Sequence, residues 1–320
     1  MLDRDHIVTR VTFAADLALV VCGCRVPPAF RLPRESGAGS SAGPVPRSTV
    51  VWGPAPGNPA ESDATFCQLV VWNNRGMQSI AILGDIHGDS QRMLELVGDL
   101  DHEVPLVVLG DYFDRWDHAV EAIQWLMSRP NTTALMGNHD ALILGVVEER
   151  LRGVEGRNTE NWHWNGGKDA DLARLMREPE VMDWIRNLPA MTMVGDALIQ
   201  HCDSPVYLNY GTDLDAINES VRRRVHSRDP EVFFHLFADL CKRRQFYSLK
   251  TLRQYIDVFH AKRLIHGHTP HTQPQAISMF HGAIVNVDGA LSRGFGPEAR
   301  GFVHWLAVDG TDATEVAPGG

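Results

Sequence analysis

From Met77 onward the hydrophobic pattern alternates between two periods. Ile80-Ala81-Ile82-Leu83 is an apolar run of strand length that stops at Gly84-Asp85, as a strand buried on both faces does. Asp89 is placed to cap a helix, and Met93, Leu96, Val97 and Leu100 then recur at i, i+3, i+4 and i+7, which lines one helical face. The unit repeats. Leu106-Val107-Val108-Leu109 ends again in Gly-Asp, Ala119, Ala122, Ile123 and Leu126 give the next helical stripe, and Thr132 to Met136 is a third strand ending in Gly137-Asn138-His139. Two successive βαβ units predict parallel strands joined by right-handed crossovers. Residues 168–187 and 213–260 read as mostly helical, and further strands are expected near 191–200, 263–266, 283–287 and 302–308. The pattern is α/β.

The first 76 residues follow neither period. Between Ser36 and Ser62, 15 of 27 residues are Gly, Pro or Ser, a composition that buries too little apolar surface to offset chain entropy. We therefore divide the chain into a low-complexity, disordered extension (1–76) and a catalytic domain (77–320), with Met77 a candidate start in its own right. The apolar stretch from Phe13 to Cys24 is too short to span a bilayer. Val21-Cys22-Gly23-Cys24 has the outline of a lipoprotein cleavage box, but Asp3 and Asp5 offset Arg4 and Arg10 before it, so the positive start of a signal peptide is lacking.

Composition narrows the function. Hydrophobic residues make up 44% and charged residues 22% of the 320, ordinary values for a soluble domain. A net charge of −10 argues against extended nucleic-acid binding or attraction to an anionic membrane, though not against a small cationic pocket. Five cysteines are too few for a disulfide framework, so a reducing, cytoplasmic location is expected.

The chemistry lies where the strands stop, which is where open α/β sheets bind ligands. The strand ends deliver Asp85-Ile86-His87, then Asp111-Tyr112-Phe113-Asp114-Arg115, then Asn138-His139-Asp140, then His201, then Gly267-His268-Thr269-Pro270. Asp85 and Asp111 are 26 residues apart and Asp111 and Asn138 are 27 apart, one βαβ unit each, which sets the three side by side on one sheet edge. Any one of these could be a turn residue or a surface ion pair; a chance origin for all five, each behind an apolar strand, is a poor explanation. Carboxylate, imidazole and amide oxygen form a mixed N/O donor set suited to Mn, Fe or Zn. Six such ligands are too many for one tetrahedral ion. Two ions about 3.5–4 Å apart sharing a carboxylate would use them all, an arrangement that catalyses displacement at phosphorus.

The segments GDIHG (84–88), GDYFDR (110–115), GNHD (137–140), His201 and GHTP (267–270) resemble the calcineurin-like metallophosphoesterase superfamily. Their order and form are most similar to its phosphoprotein phosphatase branch, which includes bacterial Ser/Thr phosphatases and diadenosine tetraphosphate hydrolases; Trp164-Asn165-Gly166-Gly167 is similar to a stretch of the bacterial members. The likeness runs from about Gln78 to Val308. It implies two mixed β-sheets packed as a sandwich flanked by helices. It also implies that Asp85, His87 and Asp111 hold a first divalent metal, that Asp111 bridges to a second completed by Asn138, His201 and His268, that His139 is the general acid oriented by Asp114, and that Arg115 and Asn138 bind the phosphate. A second phosphate-binding arginine is expected between the last two ligand histidines, with Arg228 the candidate and Arg222 to Arg224 its rivals. The implied activity is hydrolysis of phosphomonoesters by hydroxide held between the metals, in the manner of a Ser/Thr phosphatase. The substrate could be a phosphoprotein, a nucleotide or a small phosphoester, so dinucleoside polyphosphate hydrolase and phosphodiesterase stand as alternatives. A non-catalytic, metal-bound docking module is disfavoured because every ligand and the acid are present. The chain departs from the pattern at Trp116, where the branch usually has Gly and where an indole is expected to narrow the site mouth, and at Pro270, where many superfamily members carry another histidine.

Overall fold

The computed structural model describes residues 79–313, together with the strand segments Val11–Phe13, Leu17–Leu19, Val50–Val51, Gln68–Leu69 and Val71–Asn73. The chain separates into two units, Met1–Met77 and Gln78–Gly320. In the first, Leu17–Leu19 pairs antiparallel with both Val11–Phe13 and Val71–Asn73, and Val50–Val51 pairs with Gln68–Leu69. The rest of the expected disordered extension, including Val21 to Cys24, lies outside the described residues, as does Met77.

The second unit carries two mixed sheets. In the four-stranded one, β1 (Ser79–Leu83), β2 (Leu106–Val108) and β3 (Thr132–Ala134) run parallel, and β9 (Val303–Ala307) closes the edge antiparallel to β1. In the five-stranded one, β5 (Ala197–Gln200), β6 (Arg263–His266) and β8 (Ile284–Asn286) run parallel, flanked by antiparallel β4 (Met191–Val194) and β7 (Ile277–Met279). The helices are α1 (Ser90–Val97), α2 (Ala119–Ser128), α3 (Asn138–Leu151), α4 (Arg157–Trp164), α5 (Asp169–Leu175), α6 (Pro179–Arg186), α7 (Leu214–His226), α8 (Pro230–Leu240) and α9 (Leu249–Ile256).

Strand alternation builds the sandwich. Ile80, Ile82 and Val107 of one sheet pack with Ala197, Ile199 and Ile265 of the other in a single apolar cluster. The alternate residues Ala81, Leu83, Leu106 and Val108 face away from it and pack with Met93 and Val97 of α1 and with Ile123 of α2. Each strand is thus apolar on both faces, which is why it reads as a continuous run. The expected two-sheet architecture is the one observed. Three elements went unanticipated: α3, which follows directly on the third strand, α4 after it, and the edge strand β7. Helix α3 is buried along nearly its whole length, so it lacks the polar stripe by which a helix is normally read. Its acidic residues are matched inside: Glu148 takes a hydrogen bond from Arg186 at 2.7 Å, and Glu149 accepts from the backbone N–H groups of Gly156, Asn158 and Thr159.

Candidate active site

The carboxyl ends of β1, β2, β3, β5 and β6 all open onto one spot. Asp85 and His87 follow β1, Asp111 follows β2, Asn138 opens α3 behind β3, His201 follows β5 and His268 follows β6. All six side chains are buried, as are His139 and Asp114. One ligand atom from each of Asp85, Asp111, His201 and His268 falls within 4.8 Å of the others, and so does one from each of His87, Asp111 and His139. Asp111 belongs to both groups. Arg115, only half-buried, stands beside them: its charge acts on His87, His139 and Asp288.

Tight turns make this convergence possible. His87, Asp111, Asp114, Arg115 and His268 all have positive φ, between 48° and 70°, a region unfavourable to residues with a Cβ and often concentrated at functional sites. The glycines of the motifs answer a different demand. Gly110 has φ +103°, and a Cβ there would strike the backbone of Gly137; a Cβ on Gly137 would overlap the Asp111 carboxylate. The loops behind β2 and β3 therefore meet backbone to backbone. Asp140 fastens them, its carboxylate accepting from the N–H groups of Gly137 (2.8 Å), Asp111 (2.9 Å) and Tyr112 (2.9 Å).

Hydrogen bonding fixes which way the imidazoles point their lone pairs. His87 donates from Nδ1 to the Phe113 carbonyl at 3.0 Å, and His201 from Nδ1 to the Leu109 carbonyl at 2.8 Å, so in each the free nitrogen is Nε2. Nε2 of His87 lies 3.7 Å from Asp111 Oδ2 and 4.0 Å from Asp85 Oδ2. Nε2 of His201 lies 2.9 Å from Asn138 Oδ1 and 3.4 Å from Asp111 Oδ1. Burial lowers the pKa of His87, His201 and His268 and keeps them neutral. Burial, with Asp288 and Asp111 nearby, raises Asp85 well above the usual carboxylate range. Burial opposes the charge on Asp111 as well, but attraction to the charged forms of His201, His139, His87 and His268 draws it below its ordinary value. Lone pairs and carboxylates are turned on one another, and Nδ1 of His268 joins them 3.1 Å from Nε2 of His201; borderline divalent ions fit this donor set.

His139 is oriented differently. Its Nδ1 lies 2.5 Å from Asp114 Oδ2, while Asp114 Oδ1 accepts from Trp162 Nε1 at 2.7 Å. Nε2 is left facing the centre, 3.8 Å from Asp111 Oδ2. Burial would lower the His139 pKa, but Asp111 and Asp114 more than reverse this and hold it above its ordinary value. Burial also lifts Asp114, so the pair shares a proton; the indole N–H on the second carboxylate oxygen keeps that proton on the imidazole.

Arg228 is set apart from the site. It lies at the α7–α8 turn, where its carbonyl accepts a bond from Arg152 at the far end of α3, in a small apolar recess with Leu151 and Met176. At about 1.5 Å of rise per residue, the length of α3 separates it from Asn138. The arginine between the last two histidines whose charge reaches Asp85, His201, His268 and Asp288 is Arg243. Arg222 is engaged by Glu219 on a solvated helix face, and Arg224 lies over the Tyr210 ring. Only the spacing of Arg243, in the turn after α8, could have distinguished it in the sequence.

Three further groups were not foreseen. Trp162, fully buried, holds Asp114, whereas Trp164 of the WNGG stretch is exposed; the Gly166 carbonyl of that stretch accepts from the Arg115 N–H at 2.9 Å. Phe295 stands beneath the Arg115 guanidinium at 4.7 Å and edge-on to His87 at 5.2 Å. Arg293 binds Asp89 through Nε (2.8 Å) and Nη2 (2.5 Å) and lies over the Trp116 ring at 4.9 Å. Trp116 is thus part of a braced wall that includes the 293–295 turn. Cys202 is sealed in the core, its thiol pKa raised by burial, and is no redox handle on the site.

Residues 78–272 match the family profile of the calcineurin-like phosphoesterases; the chain belongs to this family and is a metal-dependent phosphoesterase. Among solved structures it is similar to the cold-active protein-tyrosine phosphatase of a psychrophilic Shewanella species, at 21% identity and a TM-score of 0.54, over 74% of this chain and 80% of that one. A second structure of a cold-active protein tyrosine phosphatase gives 20% identity and a TM-score of 0.54 over 74% and 78% of the two chains. A comparison with curated proteins finds no match. No helix among the described residues is long and apolar enough to cross a membrane.

Proposed function

We propose that the protein hydrolyses phosphomonoesters at a pair of divalent metal ions (Mn, Fe or Zn). The observation that carries this is the facing of unprotonated Nε2 atoms and carboxylate oxygens across one buried point, with Asp111 common to both ligand groups. Asp85, His87 and Asp111 would hold one ion, and Asp111, Asn138, His201 and His268 the other. Bound there, the ions would supply positive charge for the phosphoryl oxygens and acidify water.

The chain's own groups supply the rest. Arg115, held over Phe295, presents a planar fork to the phosphate, and Arg243 adds charge near Asp85, His201 and His268. His139, protonated against Asp114, gives its Nε2 proton to the leaving oxygen. A half-buried Arg115 and an exposed Arg243 at a buried cluster of carboxylates and imidazoles suit a phosphate carried on a large molecule, so a phosphoprotein phosphatase is the form we favour. The test is a panel of phosphopeptide, p-nitrophenyl phosphate, bis-p-nitrophenyl phosphate and diadenosine tetraphosphate, run after chelation and reconstitution with Mn, Fe or Zn. We expect about two equivalents of metal and faster hydrolysis of monoesters than of the diester. Release of nucleotide with no peptide dephosphorylation would transfer the assignment to a dinucleoside polyphosphate hydrolase.

A further inference from the structure

A second cavity, of about 520 Å³, lies beside the metal-ligating cluster, within the roughly 300–1,000 Å³ typical of small-molecule sites. It adjoins the catalytic loops: Asp203 is two residues beyond His201, and Thr269 directly follows His268. Its position follows from strand alternation. Ile265 faces the other sheet, so His266 points to the outer face of β6, where the segment 244–247 rather than a helix provides the cover.

Four of the residues that line the cavity each carry a buried polar atom without a partner among the described residues: Asp203 Oδ1, His266 Nε2, Thr269 Oγ1 and His271 Nδ1. Asp203 is 3% and His266 1% exposed. Each unpartnered buried group of this kind costs about 1–3 kcal/mol, so four around one void point to something that satisfies them. Their chemistry is of one sign. His266 donates from Nδ1 to the Gly267 carbonyl at 2.9 Å, and His271 donates from Nε2 toward the Asn286 carbonyl at 3.4 Å; the nitrogens left over are acceptors. With the Asp203 carboxylate, three of the four atoms accept, and the threonine hydroxyl does either. The walls are apolar: Phe246, Ile277 and Ile284 are inside, and Tyr247 and Met279 stand at the rim with exposures of 82% and 43%. The cation that lines the cavity, Arg244, is exposed to solvent, where its charge is screened.

We propose that this cavity binds an N–H-rich cation, a guanidinium or ammonium group on an aliphatic stem. Its source is either a basic side chain flanking the phosphorylated residue of a peptide substrate, which rests on the phosphatase reading, or a free amine, which does not.

The probe is agmatine, titrated calorimetrically into the metal-loaded full chain, with butylurea as its uncharged counterpart. We expect agmatine to bind, butylurea to bind at least about tenfold more weakly, and Asp203→Asn and His271→Phe each to weaken agmatine by roughly 10- to 100-fold, as loss of a hydrogen bond to a charged group does. His271→Phe should leave p-nitrophenyl phosphate turnover within about twofold, since it removes one acceptor and one long hydrogen bond to Asn286, and keeps about the same ring volume. Metal content and Tm of Asp203→Asn show whether that variant keeps its centre. In peptides, replacing arginine by citrulline at one flanking position should raise KM without lowering kcat if the source is the substrate; no positional effect with agmatine binding intact assigns a free amine. Absence of agmatine binding to the wild type, equal binding of butylurea, or wild-type affinity in both variants would overturn the site. Loss of the phosphatase reading would show instead as intact agmatine binding with no phosphoester turnover.

Discussion

His139 is held from two directions, and each has a measurable consequence. Asp114 grips Nδ1 and Trp162 grips Asp114. Removing the imidazole by His139→Asn should leave the ligands in place and cost about 10²–10⁴ in turnover; metal analysis alongside kinetics on an alkyl phosphomonoester checks both halves, and near wild-type turnover would exclude His139 as the acid. Trp162→Phe is subtler. It withdraws one hydrogen bond from Asp114, which then binds the shared proton more readily and leaves less of it on the imidazole. Because His139 is raised above its ordinary pKa by Asp111 and Asp114 against burial, its acid form is present below that raised value and is lost as pH rises through it. The alkaline limb of kcat should therefore move to lower pH in Trp162→Phe, with phosphate affinity little changed. An unmoved limb would mean that the indole serves packing alone.

At the scale of elements, the decisive contact is between the loops behind β2 and β3, and Asp140 is its fastening. One carboxylate accepts three backbone N–H bonds, two from the neighbouring loop and one from the start of its own helix. Asp140→Ala would leave three buried donors unmatched at about 1–3 kcal/mol each, and Asp140→Asn only part of that. We expect Asp140→Ala to melt well below Asp140→Asn in calorimetry, and to bind metal more weakly, since Asp111 sits in the loop it releases. The strands and their terminal residues were legible in the sequence because a parallel strand buried on both faces is an unbroken apolar run and its ligand follows at a fixed offset. The wall over the site was not. Phe295 and Arg293 reach Arg115, His87 and Asp89 from some 200 residues away in the chain, and nothing in their local pattern marks them. Arg228 and Arg243 show a related limit: both lie between His201 and His268, and apart from spacing nothing in their local pattern tells which one acts on the centre.

For the whole molecule, the cost of assembling the site should appear as a pH dependence that metal reverses. Asp288, Asp140 and Asp171 are buried and raised, the first two to about 7 and the third to about 6. Burial is the main cause in each; Asp111 adds to it at Asp288 and Asp140, and Glu121 and Asp117 at Asp171. A carboxyl whose folded pKa exceeds its unfolded value binds more protons in the native state between the two, so stability falls as pH rises across that window. The stability these groups contribute is complete below about pH 4 and lost as pH climbs through 6 to 7. The imidazoles of His87, His201 and His268, lowered by burial, contribute the opposite slope up to the unfolded histidine value of about 6.5, so metal-free protein should show a declining Tm above about pH 6.5. Divalent ions compete with protons for Asp85 and the neutral imidazoles, so their stabilisation should grow over the same interval. Calorimetry of chelated and Mn-loaded protein across this range would give two curves that diverge toward alkaline pH. Parallel curves would mean that the ions bind elsewhere than at the buried carboxylates.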